Sequence, residues 1–113
     1  MIAAFFGSLI SAAAEVEEGK AAWYSNDLHG RKTASGEVYD KGKLTAAHHN
    51  LEFGTEVKVT IVDSGRSVVV RINDRCLAKK GRIIDLSEAA AKQIGLVDLG
   101  VAAVTVEIVK KAD

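Results

Sequence analysis

Two stretches of alternating residues, VKVTIV at 57–62 and SVVVRIN at 67–73, flank the turn sequence DSGR at 63–66. Apolar residues at every second position line one face of an extended chain, so the first stretch reads as a half-buried strand and not as a helix. The glycine-containing turn returns the second stretch beside it as a hairpin. The same period recurs at 102–109, where Val104, Val106 and Ile108 share a face. Shorter β runs stand at 20–25, 44–48 and 82–86. The clearest helix is 85–95: Asp85 or Ser87 can cap it, Glu88 suits its first turn and Gly95 can end it. Several short strands with one short helix, in a chain of 113 residues, predict a single β-rich domain, a small closed barrel with its loops at one end.

Charge narrows the partners. Fifteen basic and fifteen acidic residues cancel, so there is no cationic surplus for binding a phosphate backbone, and no nucleic-acid partner is expected. Cys76 is the sole cysteine, which excludes an intrachain disulfide and a cysteine-based zinc site. Packing alone must hold the core.

Residues 1–14, MIAAFFGSLISAAA, carry no charge. A membrane-spanning helix needs about 20 apolar residues, so this stretch is too short for stable insertion. An apolar run ending in small residues suits a signal peptide, although the usual basic start is missing. The expected organisation is therefore a leader at 1–14 and one domain at 15–113. Export to the periplasm or cell wall follows, without a lipid anchor because no cysteine lies near this end.

Residues 26–40 form a long loop rich in Gly, Asn, Asp and Ser, and loops beyond about 12 residues in compact domains are usually functional. No serine sits in a Gly-x-Ser-x-Gly elbow and no glycine-rich phosphate loop occurs. His48 and His49 are adjacent, without helical spacing or an evident third ligand, so neither metal nor cofactor is expected. The remaining acid of interest is Asp74, in RINDRC at 71–76, where an apolar strand ends in Asn73-Asp74-Arg75. It is a solvated strand end, a turn former or a catalytic acid held by its neighbours. If Ile72 points inward, strict alternation gives Asp74 the same face and turns Asn73 and Arg75 away.

The segments AAWYSNDLHGRKTASGEVYD, LTAAHHNLEFGTEVKVT, GRSVVVRINDR, GRIIDLSEAAAKQIG and GVAAVTVEIV resemble, in order and spacing, the rare-lipoprotein-A family. The resemblance implies a mainly β fold, a six-stranded double-psi β-barrel with one or two short helices. It also implies a lytic transglycosylase acting on peptidoglycan glycan strands between N-acetylmuramic acid and N-acetylglucosamine, closing a 1,6-anhydro ring. Carried over by motif, the acid/base is Asp74, with Glu37 and His48 orienting the sugar or tuning that acid. Trp23, Tyr24, Tyr39, His29, Arg31, Asn73 and Arg75 become expected substrate contacts, and a monomer is expected. Where the family commonly has Gly-Pro after Asn-Asp-Arg, this chain has Cys76-Leu77. The alternative is a non-catalytic, expansin-like module that binds wall polysaccharide in the same groove.

Overall fold

A computed structural model describes residues 16–113; the expected leader at 1–14 lies outside them. Six strands appear in chain order: β1 (Val16–Trp23), β2 (Thr45–His48), β3 (Glu56–Ile61), β4 (Ser67–Asp74), β5 (Arg82–Leu86) and β6 (Ala102–Lys110). They close in the order β1-β5-β2-β4-β3-β6, with β6 returning to β1. The expected small barrel is the fold, and closure leaves no strand with an open edge.

The hairpin at its centre follows the alternation. Val57, Val59 and Ile61 of β3 are buried, as are Val68, Val70 and Ile72 of β4, and the two strands pair antiparallel from Glu56↔Arg71 to Thr60↔Ser67. Val104 and Val106 of β6 complete this side of the core, while Ile108 packs against its edge. Ile84 and Leu86 of β5 and Ala21 of β1 fill the other side. Burying such aliphatic side chains contributes roughly 1.5–3 kcal/mol each, the main force available to a chain without a disulfide.

Two pairings are parallel, β1 with β5 and β2 with β4, and each slips by one residue. Lys20 faces Arg82 but Ala21 faces Ile84, which leaves Ile83 unpaired. Ala46 faces Ile72 but Ala47 faces Asp74, which leaves Asn73 unpaired. Each is a β-bulge, and a bulge redirects every side chain beyond it. Strict alternation at Asp74 therefore fails. Ile72 lies in the core, and Asp74 instead joins Ala47 on the outer side of the sheet, in a second cluster with Tyr24 and Tyr39.

After β5 the helix α1 (Glu88–Ile94) begins later than the pattern predicted. Ser87 caps it by accepting from the Ala90 amide, and Asp85 remains in the strand. Gly95 ends it in the left-handed conformation (φ 78°), which a residue with a side chain adopts only with strain. A single further turn, α2 (Leu96–Leu99), makes the second of the one or two short helices expected; it buries Leu96. No helix among the described residues is long and apolar enough to cross a membrane.

The bulge at Ile83 depends on Gly19. A Cβ at Gly19 would stand 2.8–2.9 Å from three atoms of the Ile83 side chain. Ile is branched at Cβ and cannot swing away cheaply. Gly19→Ala is expected to destabilise the barrel by about 1–3 kcal/mol. Thermal unfolding of that variant and of Gly19→Ala/Ile83→Ala checks it, since the second change should recover part of the loss.

Candidate active site

The segment from Ser25 to Lys43 is ordered by its own backbone and then docked on the end of β4. A 3-10 turn at Asn26–Leu28 starts it. The Tyr39 amide donates to the Arg31 carbonyl, the Gly30 amide to the Tyr39 carbonyl and the Thr33 amide to the Glu37 carbonyl, which folds 30–39 into a small hairpin. Its tip meets β4 twice: the Ser35 amide donates to the Asn73 carbonyl at 3.3 Å, and the Ala34 amide donates to Asp74 Oδ1 at 2.8 Å. Asn73, unpaired on the β2 side, is the residue that receives the loop.

Asp74 thereby sits among three donors. Oδ1 accepts from the amides of Ala34 and Arg75, both at 2.8 Å, and Oδ2 accepts from the Tyr24 hydroxyl at 2.5 Å. Burial, then the hydrogen bond to Asp74 and its charge, push the Tyr24 hydroxyl far above the usual tyrosine range, so it stays a donor. The Arg75 guanidinium is directed elsewhere. It lies 4.2 Å above the Phe53 ring and donates to the His48 carbonyl, leaving the Asp74 carboxyl without an ion pair from its neighbour. The sequence reading anticipated that separation, although for a different geometric reason.

Glu37 belongs to the same docking. Its carboxylate takes Arg71 Nη1 and Nη2 at 2.6 and 2.8 Å and Asn73 Nδ2 at 3.2 Å. The hydrogen bonds from Arg71 come first among the causes that hold its pKa down at about 2, with Asn73 adding to them against a small cost of burial. Glu37 is thus an ionised anchor that ties the loop to β4.

His48 faces away from this group. Its Nδ1 accepts from the amides of Asn50 and Leu51 at 3.2 and 3.3 Å, so that nitrogen carries no proton. Nε2 therefore holds the proton and donates it to Glu17 at 2.8 Å. Burial lowers the imidazole pKa, with Glu17 opposing, and the ring is neutral. Glu17, His48 and His49 bring three donor atoms within 4.8 Å of one another. A cation on His48 Nε2 would have to displace the proton that the two turn amides fix there, so the donor set is built for a hydrogen bond.

The expected contact residues divide. Tyr24 and Tyr39 stack on each other with centroids 4.4 Å apart, and the Tyr39 hydroxyl accepts from the Glu88 amide at the start of α1. Their faces are largely used in that packing. Trp23 points the other way and packs against the barrel core. His29 accepts from the Lys41 amide at Nδ1 and stands edge-on to Tyr39. Arg31 is exposed and, with Lys32, Leu28, Thr33 and the two tyrosines, lines a cleft of about 230 Å³ that ends at Asp74. On the other side, from Arg75 onward, a wider cleft of about 550 Å³ runs over Cys76 and Leu77 to Asp85. Asp74 lines the first of these clefts, and its chain neighbour Arg75 lines the second.

Asp85 was missed as a site residue because its position before a helix suggested a cap. The bulge at Ile83 places it opposite Ala22 on one side and Ala47 on the other, one strand from Asp74. Its carboxyl, four-fifths buried, is pushed above the usual range by desolvation, with Arg82 at 3.4 Å opposing. Cys76, alongside, is raised to about 11 by burial, so it remains a thiol and has no nucleophilic character near neutrality.

The closed six-stranded barrel is a double-psi β-barrel, and sequence comparison gives the family. The family described as lytic transglycolase matches residues 16–106, and the chain belongs to it. The chain is 52% identical over 93 residues to the endolytic peptidoglycan transglycosylase RlpA of Vibrio cholerae, covering 82% of this chain and 35% of that one. It is also 52% identical over 95 residues to a probable endolytic peptidoglycan transglycosylase RlpA of Synechocystis, covering 84% and 30%. The chain thus spans about a third of the curated relatives it matches. Among solved structures, Streptomyces papain inhibitor superposes with a TM-score of 0.67 at 24% identity, over 84% of this chain and 94% of that one. The apo expansin of Clavibacter michiganensis gives 0.67 at 22% identity, over 87% and 52%. At that identity both speak for the fold alone.

The Glu37 anchor carries a pH signature. Its pKa is depressed from 4.5 to about 2 in the folded protein, so its contribution to stability is complete above pH 4.5 and disappears as pH falls through about 2. The side chain is 44% exposed, and solvent screening keeps that contribution modest. Carboxyl-carbon NMR should give Glu37 a midpoint near 2, and Glu37→Gln should flatten the acid limb of the stability profile over that window.

Proposed function

We propose that this barrel is the catalytic unit of a peptidoglycan lytic transglycosylase, with Asp74 as its single acid/base. The observation that carries the reading is the asymmetric holding of the Asp74 carboxyl. Two backbone amides occupy Oδ1, and Oδ2 meets only a hydroxyl, in the cleft that Arg31 and Lys32 line. Oδ2 is then the oxygen that carries and gives up a proton, and the Tyr24 hydroxyl can accept from the acid or donate to its anion. A glycan strand lying through both clefts brings a glycosidic oxygen to Oδ2.

The acid protonates that oxygen as the bond to the muramoyl C1 breaks and positive charge develops on the ring. The resulting carboxylate takes the proton of the muramoyl C6 hydroxyl, whose oxygen bonds to C1. The proton lost in the first step returns in the second, and the products are a free 4-hydroxyl and a 1,6-anhydro end. Hydrolysis would need a second carboxylate holding water. Glu37 is poorly suited to that task, since Arg71 and Asn73 engage both its oxygens. Its role, in this reading, is to hold the 30–39 hairpin on β4. The role of His48 is to hold the end of β2 through Glu17 and the turn amides.

A site for wall glycan makes the exported, cell-wall location the natural one. The two relatives described above are named for the same activity.

Mass spectrometry of glycan strands incubated with the protein tests the proposal. Anhydro-ended fragments are expected from the wild type and none from Asp74→Asn. Ordinary reducing ends would make it a hydrolase, and binding without fragments would leave an expansin-like module. Tyr24→Phe should lower kcat by about tenfold with KM little changed, the loss of one hydrogen bond to a charged group that matters during proton transfer.

A further inference from the structure

The wider cleft is cationic in a chain whose charges balance overall. Arg75, Lys79, Lys80 and Arg82 line it, against the single carboxylate of Asp85, which Arg82 already faces at 3.4 Å. Lys79 and Lys80 form no ion pair among the described residues, and both are exposed.

The turn that presents them is held in place. The Arg82 amide donates to the Lys79 carbonyl at 3.0 Å, and the Lys79 amide returns to the Arg82 carbonyl at 3.3 Å. The Lys20 amide of β1 donates to the Gly81 carbonyl at 2.8 Å, fastening the turn to the barrel. Lys80 has φ 56°, the sole non-glycine residue with a positive φ among the described residues. A left-handed lysine costs backbone energy that asparagine or glycine would largely avoid. The turn backbone thus holds two ammonium-bearing residues on the cleft that starts at Arg75, next in sequence to the acid, and the exposed Leu77 (81%) lines the same cleft.

We infer that this cleft is a subsite for a carboxylate borne on the 3-O-lactyl substituent of a muramoyl residue, bound by Lys79 and Lys80 from the strapped turn while Asp74 acts on the neighbouring bond. The inference rests on the glycan reading of Asp74 and adds to it the anionic group that sets which sugar lies on which side. That carboxylate has two sources: the lactyl acid itself on peptide-free strands, or the acidic stem peptide joined to it. An ammonium and a carboxylate at a half-open site attract strongly enough to orient a flexible strand, and salt weakens the attraction.

The test compares three glycan preparations: peptide-free strands, the same strands with the lactyl carboxyl converted to a neutral amide, and strands retaining stem peptides. Binding is measured by calorimetry and cleavage by mass spectrometry, for the wild type and for Lys79→Gln/Lys80→Gln. The variant alters exposed side chains, and its thermal unfolding should match the wild type.

The wild type is expected to bind free-carboxylate strands about tenfold more tightly than amidated ones, the size of one charge-assisted contact. The variant should lose that difference, with KM raised and kcat kept. Equal wild-type binding to free and amidated strands, or a variant that keeps the full difference, overturns the subsite. Preference for the peptide-bearing preparation assigns the carboxylate to the stem, and preference for the peptide-free one assigns it to the lactyl group. Charge-dependent binding with no fragments from any preparation leaves the subsite standing and removes the catalytic reading instead.

Discussion

Because β2 and β4 run parallel and slip by one residue at Asn73, Ile72 can fill the barrel while Asp74, two positions on, leaves it. Everything at the site follows from that slip. The unpaired Asn73 offers its carbonyl to Ser35 and its side-chain amide to Glu37, so the loop from the far side of the sequence has somewhere to dock. Docking in turn delivers the Ala34 amide to Asp74. A regular strand would have kept the carboxyl on the face of Ile72, where an ionised group without partners is costly to bury. The bulge turns a core strand into a support for an acid at no expense to the hydrophobic interior.

Much of this was legible in the residues. The 57–73 hairpin, the face of Val104, Val106 and Ile108, and the stop at Gly95 follow from period and turn chemistry, and the structure reproduces them. The motif resemblance supplied the barrel topology, which periodicity could not. What the pattern hid were the two bulges. Ile83 and Ile84 are both buried, as are Ile72 and Asn73, and such doublets disguise the one-residue slip as a run of apolar or polar neighbours. The facing of Asp74 was misjudged for that reason, while Asp85 was hidden by its place just before a helix, where it reads as a cap. The orientation of Trp23 and His48 depends on which face of β1 and β2 meets the core, information that arises only from strand order.

The aromatic pair shows how the site and the scaffold share material. Tyr24 gives its hydroxyl to Asp74, its ring to Tyr39, and through Tyr39 it leans on the first amide of α1. One hydroxyl serves the carboxyl and the other satisfies a helix N-terminal donor that would otherwise lack a partner. The Asp74 carboxyl is therefore braced through the tyrosine pair by the helix that follows β5, and directly by the 30–39 hairpin.

The pairing of β1 with β6 has a consequence for how such a barrel is used. Val16, where the described chain begins, lies opposite Glu107, close to the end of β6. The polypeptide therefore comes in and goes out side by side, on neighbouring antiparallel strands. A unit with adjoining ends can be spliced into a larger protein as a bead is set on a string, without reshaping what stands before or after it. The same adjacency ties the first strand to the last and so closes the barrel.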